Sequence, residues 1–309
     1  MYSMKAVAEL TGITPDTLRA WERRHHAISP RRESNGRRIY NGADIARLQL
    51  LRNATELGHS ISKIAGLSNL QLQCLVNEND EQSALQKTSA LTRKLIRAIE
   101  NYRVDVCDEI LGTAAVGMVP LTLARDLLAP TLAEVGALWH EGKINVAQEH
   151  LLSSSIKRMI FALIQVYQSQ ASGPALVFGA LNPERHELGL LMTCLIAAAQ
   201  GCRCYYLGPD IPREDLLHAV TNLVPRALVL SLILNPPDPS FIEDLTRLRE
   251  GMPNNTELWI GGEGIASLGS DRLPNGCRIL SGFEEFTQEI SYMRLRPVRQ
   301  TTNLDGEAN

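Results

Sequence analysis

His186 lies between two glutamates in the stretch NPERHELG, residues 182–189, which follows the short apolar run ALVFGA and precedes the longer run LLMTCLIAAA. An imidazole nitrogen is a good metal ligand. A carboxylate two residues back, at Glu184, is placed to hold the other ring nitrogen, fix the tautomer and raise the basicity of the ring. Gly189 carries no side chain, so a bulky group can pass close to the backbone there. Taken alone, a histidine at a helix start reads more readily as a plain loop residue than as a ligand, so its surroundings in the fold have to decide.

After Ser172-Gly173-Pro174 the sequence alternates short strands, expected over residues 175–178, 203–207, 227–232, 257–260 and 278–280, with helical segments. That order predicts a doubly wound parallel, Rossmann-like sheet, in which ligands sit outside the carboxyl ends of the strands. NPERHELG follows the first strand. Ser231 ends the third and Gly261-Gly262 end the fourth, with 41 residues between Gly189 and Ser231 and 27 between Ile233 and Gly261. All three elements therefore fall on one rim. The stretch GGEGIASLG competes as a dinucleotide-phosphate loop, but it follows the fourth strand and lacks the third glycine in register. There is no P-loop lysine motif and no Ser-His-acid order, and the chain does not read as an enzyme.

Upstream, residues 90–168 carry apolar positions at intervals of three and four, with breaks at Gly112, Pro120 and Gly142, which predicts a four-helix bundle. Its last connection, WHEGKINVAQEH, holds Trp139, His140, Glu149 and His150. On residue types alone, Trp139 reads as bundle core and the remainder as a helix start. Residues 69–88 are polar without a sustained heptad and read as a linker or a short irregular helix.

The net charge of −3 conceals an asymmetry: residues 1–64 hold 11 Lys and Arg against 6 Asp and Glu, so a head of +5 precedes a remainder of −8. A small basic head on an acidic body suits a nucleic-acid reader joined to a sensing unit. Val7, Leu10 and Ile13 mark an apolar stripe, and Gly12 a turn. Thr14 is an N-cap, with Pro15 at the first helical position and Asp16 at the positive end of the helix dipole. Leu18 and Trp21 face inward. Thr17, Arg19 and Arg23 are candidate DNA contacts, the arginines at base edges and phosphates of a major groove. In SPRRESNGRRIY, turn residues Asn35-Gly36 separate two arginine pairs, as in a wing lying on the DNA backbone, with Arg31, Arg32, Arg37, Arg38 and Tyr40 as phosphate contacts. A helix over residues 43–57 and a short one over 61–64, with Gly58 as C-cap, close this winged helix-turn-helix. A solvated charge run on a helical hairpin is the alternative.

The rest of the composition is that of an ordinary soluble chain of 309 residues, 44% hydrophobic and 21% charged, enough for two or three cores. No basic, apolar leader opens it, and its longest apolar stretch is well short of the roughly 20 residues of a membrane span, so cytoplasmic residence without membrane contact is expected. Six cysteines without a CxxC pair suggest neither a disulfide framework nor a zinc site. The tail RPVRQTTNLDGEAN reads as disordered.

VAELTGITPDTLRAWERR followed by NGRRIY resembles the winged helix-turn-helix of MerR-type transcription regulators, departing at His25-His26, where an aromatic residue usually follows the two arginines. That resemblance implies DNA binding as a dimer; without a coiled coil in residues 69–88, the self-association must come from elsewhere. The set ERHELG, SLI and GG resembles the cobalamin-binding signature of corrinoid proteins, with Ile233 where leucine is usual. It implies His186 as the lower axial ligand of cobalt, and Ser231 with Gly261-Gly262 as the slot for the nucleotide tail. Trp139, nine residues, then Glu149-His150 resembles the motif of the CarH and LitR group of MerR-type photoreceptors, which use adenosylcobalamin. By that resemblance Trp139 packs beside the adenosyl group, Glu149 binds it, His150 completes the motif, and His140 can take the open cobalt position after light.

The expected organisation is a DNA-binding head over residues 1–70, a linker over 71–88, a helical cobalamin cap over 89–170, a Rossmann-like cobalamin-binding domain over 171–295 and a tail over 296–309. The expected function is a light-responsive repressor that binds operator DNA as a homo-oligomer, dimer to tetramer, in the dark. A corrinoid methyl-carrier module is the alternative from another class, and a cobalamin-independent MerR-type regulator is the third.

Overall fold

The computed structural model describes residues 1–33, 36–234, 240–267 and 273–295, without the side chains of 77–85; the tail from 296 and the turn residue Asn35 lie outside the described residues. Two compact units divide between Ser89 and Ala90. Among the described residues no helix is long and apolar enough to cross a membrane.

In the first unit, β1 (Tyr2–Ser3), β2 (Arg31–Arg32) and β3 (Arg38–Tyr40) form an antiparallel sheet in the order β1-β3-β2 beside α1 (Met4–Thr11), α2 (Pro15–His25), α3 (Gly42–Glu56) and α4 (Ile61–Ile64). The local signals act as expected. Gly12 ends α1 at φ +66°, and the Thr14 hydroxyl accepts the Thr17 N–H at 3.2 Å ahead of Pro15. Leu18 and Trp21 are buried with Val7, Ile13, Leu48 and Leu51. Two expectations fail. Leu10 is 54% exposed, because α1 turns Val7 and Thr11, one turn apart, to the core. Tyr40 is 0% exposed, and its hydroxyl has no hydrogen-bond partner among the described residues. As the last residue of the central strand it points into the core, where burial pushes its hydroxyl pKa up, so it cannot reach a phosphate.

The linker expected at residues 71–88 is instead part of one helix, α5 (Asn69–Glu100). The reason is local. Ser68 and Gln71 form a reciprocal cap, with Gln71 N–H donating to Ser68 Oγ at 3.2 Å and Ser68 N–H to Gln71 Oε1 at 2.9 Å. No Gly or Pro interrupts the 32 residues that follow, and the absence of an apolar heptad does not prevent a helix from forming.

In the second unit the end of α5 is followed by α6 (Val104–Gly117), α7 (Pro120–Thr122), a π-helical stretch (Leu123–Leu128), α8 (Ala129–His140) and α9 (Val146–Gln168). Leu95, Ile99, Leu111, Leu127, Leu152 and Ile156 from these helices share one core with the sheet. β4 (Ala175–Leu181), β5 (Arg203–Ile211), β6 (Ala227–Ser231), β7 (Glu257–Gly261) and β8 (Cys277–Leu280) are parallel, in the order β5-β4-β6-β7-β8. Successive residues of a strand serve opposite faces. Leu176, Phe178 and Val229 pack with α10 (Leu188–Ala199) and α13 (Phe283–Leu295), whereas Val177, Leu228 and Leu230 pack with α11 (Arg213–Leu223) and α12 (Phe241–Gly251). All six cysteines are free; burial pushes the Cys202 thiol up to about 12 and Cys277 to about 11, so neither is a thiolate at neutral pH.

Candidate functional site

The loop between β4 and α10 is organised by one carboxylate. Glu184 is 1% exposed, and its Oε1 accepts from His186 N–H at 2.8 Å and from His186 Nδ1 at 2.7 Å. Its Oε2 accepts from the backbone N–H of Ile233 at 2.6 Å and of Leu234 at 2.8 Å, in the loop after β6. Burial alone would raise this carboxyl's pKa. The three backbone donors and the His186 ring outweigh it and hold Glu184 below its ordinary value. Because a carboxylate only accepts, Nδ1 carries a proton, so in the neutral ring the lone pair is on Nε2; the side chain is 61% exposed. Among the described residues no three His, Cys, Asp or Glu side chains form a metal cage, so His186 offers a single donor.

Beside this loop, outside the carboxyl ends of β6, β7 and β8, is a cavity of about 630 Å³. Gly189, Ser231, Gly261 and Gly262 line it, together with Leu190, Met192, Val229, Leu230, Ile265, Leu280 and Phe286. Its floor is stiff: Phe286 packs edge-on against Phe178 and Trp259 with ring centroids 6.4 and 5.9 Å apart, pairs worth about 0.5–1.5 kcal/mol each. The wall offers few polar groups. Thr193 donates its hydroxyl to Gly189 O at 2.8 Å and Ser281 donates to Glu285 at 2.7 Å, which leaves Ser231, 7% exposed, as the remaining hydroxyl. Gly262, at φ +108°, is obligatory: a Cβ there would lie 2.3 Å from Leu232 O. The backbone after β7 thus presses on the segment whose next two N–H groups Glu184 holds, and the rim loops form one connected structure. The sequence did not single out Met192, Thr193 or Ser281-Gly282. The last pair follows the fifth strand, so the same strand-end rule finds it.

The residues of the last helical connection form a second cluster. Trp139, 44% exposed at the end of α8, lies in ring contact with His140 at 4.8 Å. Asn145 and Gln148 make a capping box that starts α9. One turn on, Glu149 accepts the Ser153 hydroxyl at 2.5 Å and pairs with His150. Trp139 is therefore not bundle core, and Ala129, at the start of α8, is what the helices contribute to the cavity wall.

On the head, Arg19 and Arg23 of α2 and Arg31, Arg32 and Arg37 of the β2–β3 hairpin are exposed, while Thr17 is half-buried and shares its hydroxyl with Thr14 at 2.8 Å. Arg19 pairs with Asp16 at 2.6 Å. Arg38 departs from its expected phosphate role: its Nε donates to Glu22 at 2.5 Å, and Arg32 approaches the other oxygen at 3.5 Å, so Arg38 straps the hairpin to α2.

Residues 2–70 match the family model of MerR HTH regulatory proteins, and residues 91–164 match that of a B12 binding domain. The HTH-type transcriptional repressor CarH of Myxococcus xanthus is 32% identical over 86% of this chain and 90% of its own length. The chain belongs to the CarH family of MerR-type repressors. CarA of Myxococcus xanthus, another HTH-type repressor, is 27% identical over 74% of this chain and 76% of its own length. A CarH-family chain is a regulator and not an enzyme, here one with a DNA-reading head and a B12-binding domain. The B12 model matches the helices of this CarH-family member rather than its sheet. For both together, the monomethylamine corrinoid protein of Methanosarcina barkeri shows the same fold, with a TM-score of 0.53 at 16% identity over 67% of this chain and 99% of that one.

Proposed function

We propose that this chain is a cytoplasmic, light-responsive repressor that holds adenosylcobalamin between its helices and the carboxyl rim of its sheet. The observation that carries the reading is the His186 ring, fixed by buried Glu184 with Nε2 turned outward, beside a largely apolar cavity lined by Ser231, Gly261 and Gly262. When bound, adenosylcobalamin supplies a cobalt that accepts an imidazole nitrogen and a cobalt–carbon bond that visible light cleaves. His186 would hold the cobalt and the cavity would take the nucleotide tail, with Gly189 leaving room: outside its own helix and chain neighbours, no described atom lies within 4 Å of where a Cβ would stand. The α5–α9 helices act as a four-helix cap, with Trp139 and Glu149 against the adenosyl group, His150 holding Glu149 in place, and His140 the residue able to take the freed position. The β2–β3 hairpin is the wing. A methyl-carrier role would leave the basic head without a purpose.

The test is an absorption titration of purified protein with adenosylcobalamin in the dark, repeated after illumination. A shift to the histidine-ligated spectrum on binding, and a second change on illumination, are expected; no change on titration rejects the cofactor. For the head, Arg19→Ala should cost about 1–3 kcal/mol of operator binding and relax sequence preference, whereas Arg37→Ala should weaken all sequences alike and flatten the salt dependence. Gel shifts on operator and random duplexes across salt concentrations distinguish them, and equal loss on both duplexes for both variants overturns the division.

A further inference from the structure

The second glutamate beside His186 does not touch its ring. Glu187 Oε1 meets Lys157 Nζ of α9 at 2.6 Å, and its Oε2 accepts the Tyr206 hydroxyl of β5 at 2.9 Å. Phe161, one turn after Lys157, packs edge-on against Tyr206 with centroids 5.5 Å apart. Glu187's own carbonyl accepts the Leu191 N–H at 2.8 Å and begins α10. The histidine loop is therefore gripped by a helix on one side and a strand on the other. The Glu187 side chain is 20% exposed and that of Lys157 37%, while burial pushes the Tyr206 hydroxyl pKa up, and the Glu187 carboxylate reinforces the shift.

Lys157 also lies on a telling stripe of α9. Glu149, Ser153 and Lys157 are spaced four apart on one face, and Ser153 already holds Glu149. Eight residues of a helix rising 1.5 Å per residue span about 12 Å. Within the proposed cobalamin site, on which this inference rests, Glu149 belongs to the upper side and His186 to the lower.

We infer that Glu187 is a positioning residue: through Lys157 it locks the His186 loop to α9 and so sets the offset between His186 and Glu149, which makes the two sides of the site move together. A displacement of α9 then pulls directly on the histidine loop.

The experiment uses the full chain with Glu187→Gln, Lys157→Met, Tyr206→Phe and the exchanged pair Lys157→Glu with Glu187→Lys. Cobalamin binding and its absorption spectrum are recorded for each, together with hydrogen–deuterium exchange of the peptide covering residues 182–190 in the cofactor-free protein. Loss of one charge-assisted contact should weaken cobalamin binding about tenfold, lower the histidine-ligated fraction and speed exchange of that peptide. The exchanged pair should recover a substantial part of all three, which a general packing defect would not. Wild-type exchange and spectrum in Glu187→Gln, or an exchanged pair no better than its single variants, overturns the inference. Should the wild-type chain bind no cobalamin, the cofactor reading fails, and the exchange measurements alone still decide whether the clamp exists.

Discussion

His186→Ala should abolish most cobalamin affinity, by about a hundredfold or more, while leaving the apo-protein folded. The ring is mostly exposed, and exposed substitutions away from special features usually change stability by less than about 0.5 kcal/mol. Glu184 keeps three backbone donors without it, so the buried carboxylate is not orphaned. Glu184→Gln behaves differently. An amide presents an NH2 to a site in which every neighbour donates, and one buried unsatisfied group costs about 1–3 kcal/mol, so the rim loops loosen as well as the ring. Circular dichroism melts with absorption titrations separate the two variants, and an unchanged affinity and cobalt spectrum in His186→Ala would remove it as the axial ligand. The pH dependence follows from the lowered pKa of Glu184. A carboxyl held below its unfolded value contributes stability that is present above that value and lost as pH falls through the folded one. The loop should therefore hold through the ordinary carboxylate range and give way only in stronger acid.

With adenosylcobalamin bound, operator affinity in the dark should exceed that after illumination by about a hundredfold, with a matching drop in oligomer size. Several linked heads on one operator gain about 10²–10⁴ over a single head without any new contact, so a change in assembly is enough to produce that factor. The motivation lies in the helical part. Trp139 and Glu149 are partly exposed beside His140 and His150, as residues awaiting a partner would be, and Val116 of α6, Val119 in the connection to α7 and Val166 of α9 expose further apolar surface in the same helical part. On the proposed reading, loss of the group against Trp139 and Glu149 should let α8 and α9 shift, and any surface shared with another copy should shift with them. α5 runs through the segment expected to be a linker, so self-association does not have to come from the later helices alone. Size-exclusion chromatography and operator gel shifts, dark against illuminated, decide the matter: equal size and equal affinity in the two states would leave a cobalamin sensor without a light switch.

What the sequence determined by itself was whatever its nearest neighbours along the chain encode. Thr14 and Pro15 start α2, Gly12 ends α1, Asn145 and Gln148 start α9, and the five strands fall where apolar runs alternate with helical periods. Even the Glu184–His186 bond is local, two residues apart and within reach of one turn. Ser68 and Gln71 were equally legible as a cap, and the polar composition of residues 69–88 obscured them. Tertiary structure decided the rest, because those contacts join segments whose separation the chain order does not reveal. Glu184 reaches Ile233 and Leu234, about 50 residues on, only because β6 lies next to β4 in the sheet. Glu187 reaches Lys157 and Tyr206 only because α9 and β5 both pack beside its loop. Tyr40 and Arg38 are two residues apart on one strand, in a motif that reads as uniformly DNA-facing, yet one is sealed in the core and the other is tied to Glu22. Residue type determines what a side chain is able to bond; the packing of distant elements determines which bond it makes.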